Sequence, residues 1–310
     1  MNAAKRDRYP GMKAFDVSEN HIFFGRDYEV NELIAQVKAN KLVVLFAKSG
    51  IGKSSLINAG LTPKFQDGIY KLIRVRLQNQ KISPTENLKN ELEPYFKEEK
   101  VPAYAKQEMR QLGLWEYIKA CTFDPQSNLK EKDEGEGDKK KDKIPIIIFD
   151  QFEEFFNHST ENQDQLIRAL SDLVSERLPH RIRQSLRSIP IPQRKAEDLN
   201  WHSPIEIKIL FAIRSDQLDR LDNLKERIPS ILSSRFQLRP LSRQQAKRAI
   251  IEPAKIEDAQ FRTAPFDYTP QALEDLLNQL SDKNGEIASF SLQLVCQHIE
   301  RSIRQRQWKN

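Results

Sequence analysis

The sequence predicts an α/β fold: a mainly parallel five-stranded sheet flanked by helices, followed by a small all-helical unit. Three observations carry this. Short apolar runs of strand length recur at residues 42–46, 71–77, 144–150, 206–213 and 235–239, as expected for strands buried on both faces. Patterns of helical period lie between them at 84–98, 103–120 and 159–177, and strand–helix alternation is the mark of a parallel sheet. After Pro240 the pattern is helical alone, over 242–252, 270–281 and 286–306.

Taken in order, residues 1–26 read as an irregular entry segment ending in Phe23-Phe24-Gly25-Arg26. Val30, Leu33, Ile34 and Val37 recur at helical spacing, so 27–39 is an amphipathic helix. Leu42-Val43-Val44-Leu45-Phe46 is the first buried strand. Residues 130–143 (KEKDEGEGDKKKDK) contain nothing to bury and read as a disordered charged loop entering the 144–150 strand. Their alternating signs favour a solvated insertion over a functional basic tail. The chain thus divides into an entry segment (1–26), an α/β domain (27–240) and a helical lid (241–310). No internal repeat is present.

Composition narrows the class. A chain of 310 residues with 38% hydrophobic and 30% charged residues is neither collagen-like nor a membrane protein, and it suits about two domains. No apolar run reaches the roughly 18 residues that span a bilayer, and the first 30 residues lack a signal-peptide core, so a cytoplasmic protein with no membrane partner is expected. Cys121 and Cys296 are too few for a disulfide framework and read as reduced, partly buried thiols. Histidines at 21, 158, 180, 202 and 298 have no metal spacing. The net charge of +6 is compatible with a polyanionic partner without requiring one.

The strongest motif is Ala47-Lys48-Ser49-Gly50-Ile51-Gly52-Lys53-Ser54-Ser55, which follows the first strand and opens a helix at Ser54. It matches the phosphate loop G-x-x-x-x-G-K-[ST] everywhere but its first position. Backbone N–H groups must wrap the phosphates closely, which Gly50 and Gly52 permit, and the helix N-terminus adds its dipole. Lys53 is placed for the β/γ-phosphates and the Ser54 hydroxyl for Mg²⁺. An alanine forced to positive φ costs about 1–2 kcal/mol, so Ala47 is expected outside the left-handed region.

A second motif ends the 144–150 strand. Ile146-Ile147-Ile148-Phe149-Asp150 finishes in a carboxylate, followed by Gln151-Phe152-Glu153-Glu154. Phosphate hydrolysis needs an acid on the metal shell and a base for the attacking water. Asp150 fits the first role, and either Glu153 or Glu154 the second. Ile209-Leu210-Phe211-Ala212-Ile213 then leads into Arg214-Ser215-Asp216. Side chains beyond strand ends line the ligand crevice of a doubly wound sheet. Arg214 therefore either reads the γ-phosphate or pairs only with Asp216. Arg235 is either a finger acting on a neighbouring subunit or a surface charge. Asn40-Lys41-Leu42-Val43 lacks the aspartate of a guanine-reading N-K-x-D segment, so ATP is favoured over GTP.

Together these residues resemble the STAND class of P-loop NTPases, specifically its bacterial novel STAND branch, over roughly residues 9–300. The resemblance rests on Tyr9-Pro10-Gly11-Met12-Lys13-Ala14-Phe15, Phe23-Phe24-Gly25-Arg26-Asp27, the phosphate loop continuing through Leu56-Ile57-Asn58-Ala59-Gly60-Leu61, and Phe149-Asp150-Gln151-Phe152-Glu153-Glu154-Phe155-Phe156. Ile213-Arg214-Ser215-Asp216, Leu238-Arg239-Pro240-Leu241-Ser242 and Ala249-Ile250-Ile251-Glu252-Pro253-Ala254 follow in the family's order. The resemblance implies an ATPase switch on an AAA+-like core: Mg²⁺-dependent, slow, ADP-bound when off, and self-associating with ATP. It implies nucleotide contacts from Arg26, from Lys48, Ser49, Gly50, Ile51, Gly52, Lys53, Ser54 and Ser55, and from Pro253, with Arg214 as sensor arginine. It further implies signal transduction, with antiphage defence as a common setting. Winged-helix, sensor and effector parts would lie outside these 310 residues. The lid motif here carries Ser291 where the family has proline.

Two basic stretches remain: Arg181, Arg183, Arg187, Arg194 and Lys195, and Arg301, Arg304, Arg306 and Lys309. They suit an alternative reading, an oligomeric AAA+ ATPase that loads onto or remodels DNA. With no aromatic platform beside them, a solvated face is favoured over a nucleic-acid surface.

Overall fold

The computed structural model describes residues 5–66, 68–101, 112–123, 142–175, 178–188, 190 and 203–307. Five strands, β1 (Leu42–Ala47), β2 (Tyr70–Val75), β3 (Ile144–Asp150), β4 (Lys208–Arg214) and β5 (Arg235–Gln237), form one sheet in the order β2-β3-β4-β1-β5. The pairs β2/β3 and β3/β4 are parallel, with Val75 opposite Phe149 and Asp150 opposite Ala212. The ladder between β1 and β5 runs the same way: Val44 N–H donates to Ser234 O and Leu238 N–H to Phe46 O. The predicted parallel five-stranded sheet is therefore present. The longer α-helices among the described residues are α1 (Asp27–Ala39), α2 (Pro84–Leu92), α3 (Leu114–Ala120), α4 (Thr160–Val174), α5 (His180–Ser188), α6 (Arg243–Lys255), α7 (Pro270–Leu280) and α8 (Ser289–Gln307).

Departures from the expected bounds have local causes. The helix expected over 84–98 stops at Leu92 because Pro94 has no N–H to give Asn90; that carbonyl is taken by Glu93 instead. Of the helix expected over 103–120, residues 112–120 are described, and Leu114–Ala120 is helical. Residues 130–141 of the charged loop lie outside the described residues.

The chain divides into two compact units, one of Met1–Ala35, Leu45–Lys64 and Phe236–Asn310, the other of Gln36–Val44 and Phe65–Arg235. In the second, β3 is buried from Pro145 to Asp150, so its run of isoleucines reads as a covered strand. Ser159 caps α4, which turns Leu166, Ile167, Leu170 and Leu173 inward. An aromatic cluster closes this core: Phe152 sits 4.2 Å from Phe211 and 4.9 Å from Phe155, ring centre to ring centre.

In the first unit α6 starts at a reciprocal Ser242/Gln245 capping box, and α7 at Thr269 with Pro270 behind it. Their apolar faces meet Ile287, Leu292 and Cys296 in one core. Tyr9 of the entry segment belongs to that core, and its hydroxyl donates to the carbonyl of Ile250. Arg8 is fully buried beside it. Its guanidinium donates to Pro253 O at 3.0 Å and to Thr263 O at 2.8 Å, while Glu300 accepts the Arg8 backbone N–H at 2.8 Å. Burial pushes the Glu300 carboxyl above its ordinary range, opposed by the bonds from Arg8, Thr263 and Tyr9. Arg8 and Tyr9 thus form a clasp between the N-terminal segment and the C-terminal helices. Both cysteines are buried and unpaired, and burial pushes each thiol up to about 12.

Candidate functional site

The phosphate loop lies in the first unit. β1 delivers the chain to Ala47, which is 1% exposed. Lys48, Ser49 and Gly50 are exposed, and Ile51 is buried. Gly50 (φ +77°) and Gly52 (φ +104°) are both left-handed, the conformation for which glycine is the default. Ala47 is outside that region, as expected from its side chain: Gln151 is the one non-glycine with positive φ among the described residues. Lys53 folds back so that Nζ donates to Ala47 O at 3.1 Å. Helical turns follow over Lys53–Ser55, then widen into a π-helical stretch at Leu56–Leu61, where Thr62 Oγ1 donates to Ile57 O at 2.8 Å.

Two successive loop carbonyls are held from outside the loop. Phe290, in the first turn of α8, donates its N–H to Gly50 O at 3.1 Å. Arg26 Nη2 donates to Ile51 O at 3.2 Å. In a trans peptide the N–H points opposite to the C=O, and no peptide in the described chain is cis. The N–H groups of Ile51 and Gly52 are thereby turned away from Phe290 and Arg26. Left-handed glycines with oriented N–H groups and a lysine curled into the loop form an anion cradle that fits a nucleotide's phosphates.

Arg26 is 4% exposed. It pairs with Glu29 at 2.8 Å and also donates to Arg239 O at 2.9 Å and Ser289 Oγ at 3.0 Å. Gln245 adds a 2.8 Å bond to the same Glu29 oxygen. Burial pushes the Arg26 pKa down and the Glu29 pair pushes it back. Ser55 Oγ accepts the Phe15 N–H at 3.2 Å, so this hydroxyl serves the entry segment. Pro253 is buried inside α6, its carbonyl engaged by Arg8. Ser54, half-buried in the first turn after the loop, is a candidate Mg²⁺ ligand by residue type.

The acidic strand end lies in the second unit. Asp150 is 1% exposed at the end of β3. Arg74 contacts Oδ2, and Arg76 reaches the same oxygen from Nη2 at 3.0 Å. A single buried carboxylate on a strand end fits a metal-shell acid by donor chemistry. Gln151 follows in a left-handed turn (φ 60°), its side chain held by Gln78 at 3.1 Å. Glu153 Oε2 accepts the Arg214 N–H at 3.3 Å. Burial raises the Glu154 carboxyl above its ordinary range, against a hydrogen bond from Gln78 that lowers it. Arg214 itself forms a bidentate pair with Asp216, at 3.0 and 2.8 Å. This is the local pairing that the sequence left open beside a phosphate contact. Arg235 is exposed and lines a hollow with Asp219, Asp222 and Lys225. Among the described residues no group of three or more His, Cys, Asp or Glu side chains is arranged to hold a metal alone.

Some of the basic stretches are accounted for by Asp7, which gathers Arg301 at 3.3 Å, Arg262 at 3.2 Å and Arg304 at 3.6 Å. Arg194, Lys195 and Lys309 lie outside the described residues. Sequence reasoning missed the partners of Asp150 and of Arg26. Arg74 and Arg76 did leave a trace, two cations spaced by two in a strand of apolar residues, which places both on one sheet face.

Comparison with known proteins gives a family and a fold. The model of the family described as Novel STAND NTPase 1 matches residues 9–307. No curated protein matches the sequence. Among solved structures the chain is similar to a Walker-type ATPase of Pyrococcus abyssi, with a TM-score of 0.51 and 14% identity over 97% of this chain and 71% of that one. It is also similar to the ORC1 protein of Aeropyrum pernix, solved in complex with DNA, with a TM-score of 0.51 and 14% identity. Here 92% of this chain is covered, and the chain spans 62% of that protein. The ADP form of the Aeropyrum pernix ORC2 protein gives a TM-score of 0.50 and 10% identity over 98% of this chain and 69% of that one. These likenesses show a shared fold, that of Walker-type ATPases. No helix among the described residues is long and apolar enough to cross a membrane.

Proposed function

The chain belongs to the novel STAND NTPase 1 family, and from that premise we propose that this P-loop NTPase is an ATP-binding switch and a slow ATPase. In this reading ADP occupies the off state, and the ATP state self-associates to engage sensor and effector parts beyond this chain. Signal transduction, with antiphage defence as its setting, is the role that the family resemblance supports. The observation that carries the nucleotide assignment is the cradle at Gly50 and Gly52, with two carbonyls pinned outward and Lys53 curled back on Ala47.

The chain's own groups divide the work. N–H groups of residues 48–53 orient the phosphates, and Lys53 neutralises charge on the terminal ones. The Ser54 hydroxyl is the loop's candidate ligand for Mg²⁺, and the Asp150 carboxylate is by its own donor chemistry a candidate metal-shell acid; Mg²⁺ when bound would offset phosphate charge during transfer. Glu154 is the proposed base: its raised pKa suits a carboxylate that must accept a proton from water. Glu153 holds the backbone of Arg214 instead. Arg26 supports the loop rather than reading the base or ribose, since its bonds run to Glu29, Ile51, Arg239 and Ser289.

Denaturing freshly purified protein and separating the released nucleotide tests this. Stoichiometric ADP is expected. An empty site with brisk multiple-turnover hydrolysis overturns the switch and favours a motor or loader. The fold shared with a DNA-bound ORC1 protein keeps that second reading in view. The capture of Arg301 and Arg304 by Asp7 removes part of the basic face it would use.

A further inference from the structure

The carboxylate proposed for Mg²⁺ already has two cations on it. Arg74 and Arg76 are two residues apart, so they share one face of the sheet. The β2/β3 register sets Arg74 opposite Ile148 and Val75 opposite Phe149, which carries Arg76, one residue past the end of the ladder, toward Asp150. Both guanidiniums meet at Oδ2 of an Asp150 side chain with no exposed surface. The arginine side chains are 32% and 45% exposed. A buried carboxylate needs a compensating charge, and here protein supplies it. A divalent cation arriving at the same carboxylate would add two charges beside two guanidiniums, and like charges at such range repel.

We propose that Arg74 and Arg76 substitute for the metal at Asp150, so that guanidiniums and a divalent cation are alternative occupants of one carboxylate. The arginines hold Asp150 when the nucleotide is a diphosphate. Because both are partly solvent-facing, they can leave by rotating their own side chains, without opening the core. Diphosphate binding is then nearly independent of divalent cation, and the cation engages Asp150 only by displacing arginine. This rests on the nucleotide-site reading above.

The test titrates Mn²⁺ into the ADP-saturated protein, reading free Mn²⁺ by its paramagnetic resonance, with ADP affinity measured separately in EDTA. Arg76→Gln leaves Arg74 on Asp150 and should tighten Mn²⁺ about fivefold, the scale of a partly exposed ion pair. The gain should vanish when Asp150→Asn is added. If Arg76→Gln does not fold, Arg76→Lys should show a smaller gain of the same sign. Equal Mn²⁺ affinity in wild type and variant overturns the proposal, as does weaker binding in the variant or a gain that survives Asp150→Asn. No ADP binding in EDTA or in Mn²⁺ overturns the nucleotide-site reading with it. ADP binding together with unchanged Mn²⁺ affinity removes the arginine competition alone.

Discussion

Phe290 donates its backbone N–H to the carbonyl of Gly50 at 3.1 Å, so the first turn of α8 closes on the phosphate loop itself. Beside it Ser289 Oγ and Ile51 O share the guanidinium of Arg26. The loop therefore has its conformation set by groups remote in sequence as well as by its own glycines.

Gly50→Ala tests that arrangement. At φ +77° an alanine costs about 1–2 kcal/mol, and its Cβ would stand 3.3 Å from Phe290 Cβ. Urea denaturation should show that loss. Adding Phe290→Gly, which removes that Cβ, and comparing with Phe290→Gly alone should recover only the contact part, because the backbone strain remains; full recovery would argue against a left-handed Gly50.

Lys53→Ala should leave the fold intact and weaken ATP and ADP binding at least tenfold, about 1.4 kcal/mol or more, as a charge-assisted bond to phosphate is lost. Calorimetric titration reads this directly. Unchanged affinity would remove the loop from the nucleotide site.

Arg26→Ala leaves Glu29 buried and without its cation. Breaking such a pair typically costs about 3–5 kcal/mol. The double variant Arg26→Leu/Glu29→Leu should cost less than Arg26→Ala in thermal unfolding. A larger cost for the double variant would show that the ion pair is not what matters.

Glu154→Gln should slow multiple turnover about a hundredfold or more while sparing ATP binding, leaving a residual rate whose pH profile can be read, and Glu153→Gln should reduce turnover less. Burial raises the Glu154 pKa, so the active carboxylate form appears as pH rises through that elevated value. The acid limb of the kcat profile should therefore lie above the ordinary carboxylate range and be missing in Glu154→Gln. The sign for stability is opposite. A raised carboxylate pKa favours the protonated folded state, so its contribution is full below the unfolded pKa and is lost as pH rises through the folded one. A limb that persists in Glu154→Gln assigns the base elsewhere.

Asp150→Asn should spare most nucleotide binding and impair Mg²⁺-dependent turnover. Normal turnover would take Asp150 out of the site.

Much of this was legible from residue order because period and composition are local. β1, β3 and the loop between Ala47 and Ser55 need no distant partner to be recognised. The motif around Asp150 was legible as a string but not in its division of labour. Phe149, Phe152 and Phe155 are fully buried packing, which leaves Asp150, Gln151, Glu153 and Glu154 for chemistry. What stayed hidden depends on register and long-range closure. Arg76 meets Asp150 only once β2 pairs with β3, and Arg26 meets Ser289 across 263 residues. The left-handed Gln151 had no glycine to announce it.

The clasp of Arg8 and Tyr9 on Ile250, Thr263 and Glu300 bears on how the protein is made. Arg8 and Glu300 are 292 positions apart. At roughly 5–20 residues per second of synthesis, the first waits about 15–60 s for the second. Until then Tyr9 has no core to enter, and Phe290 is not there to meet Gly50. The unit that carries the phosphate loop thus acquires its finished shape only once the Ser289–Gln307 helix has left the ribosome.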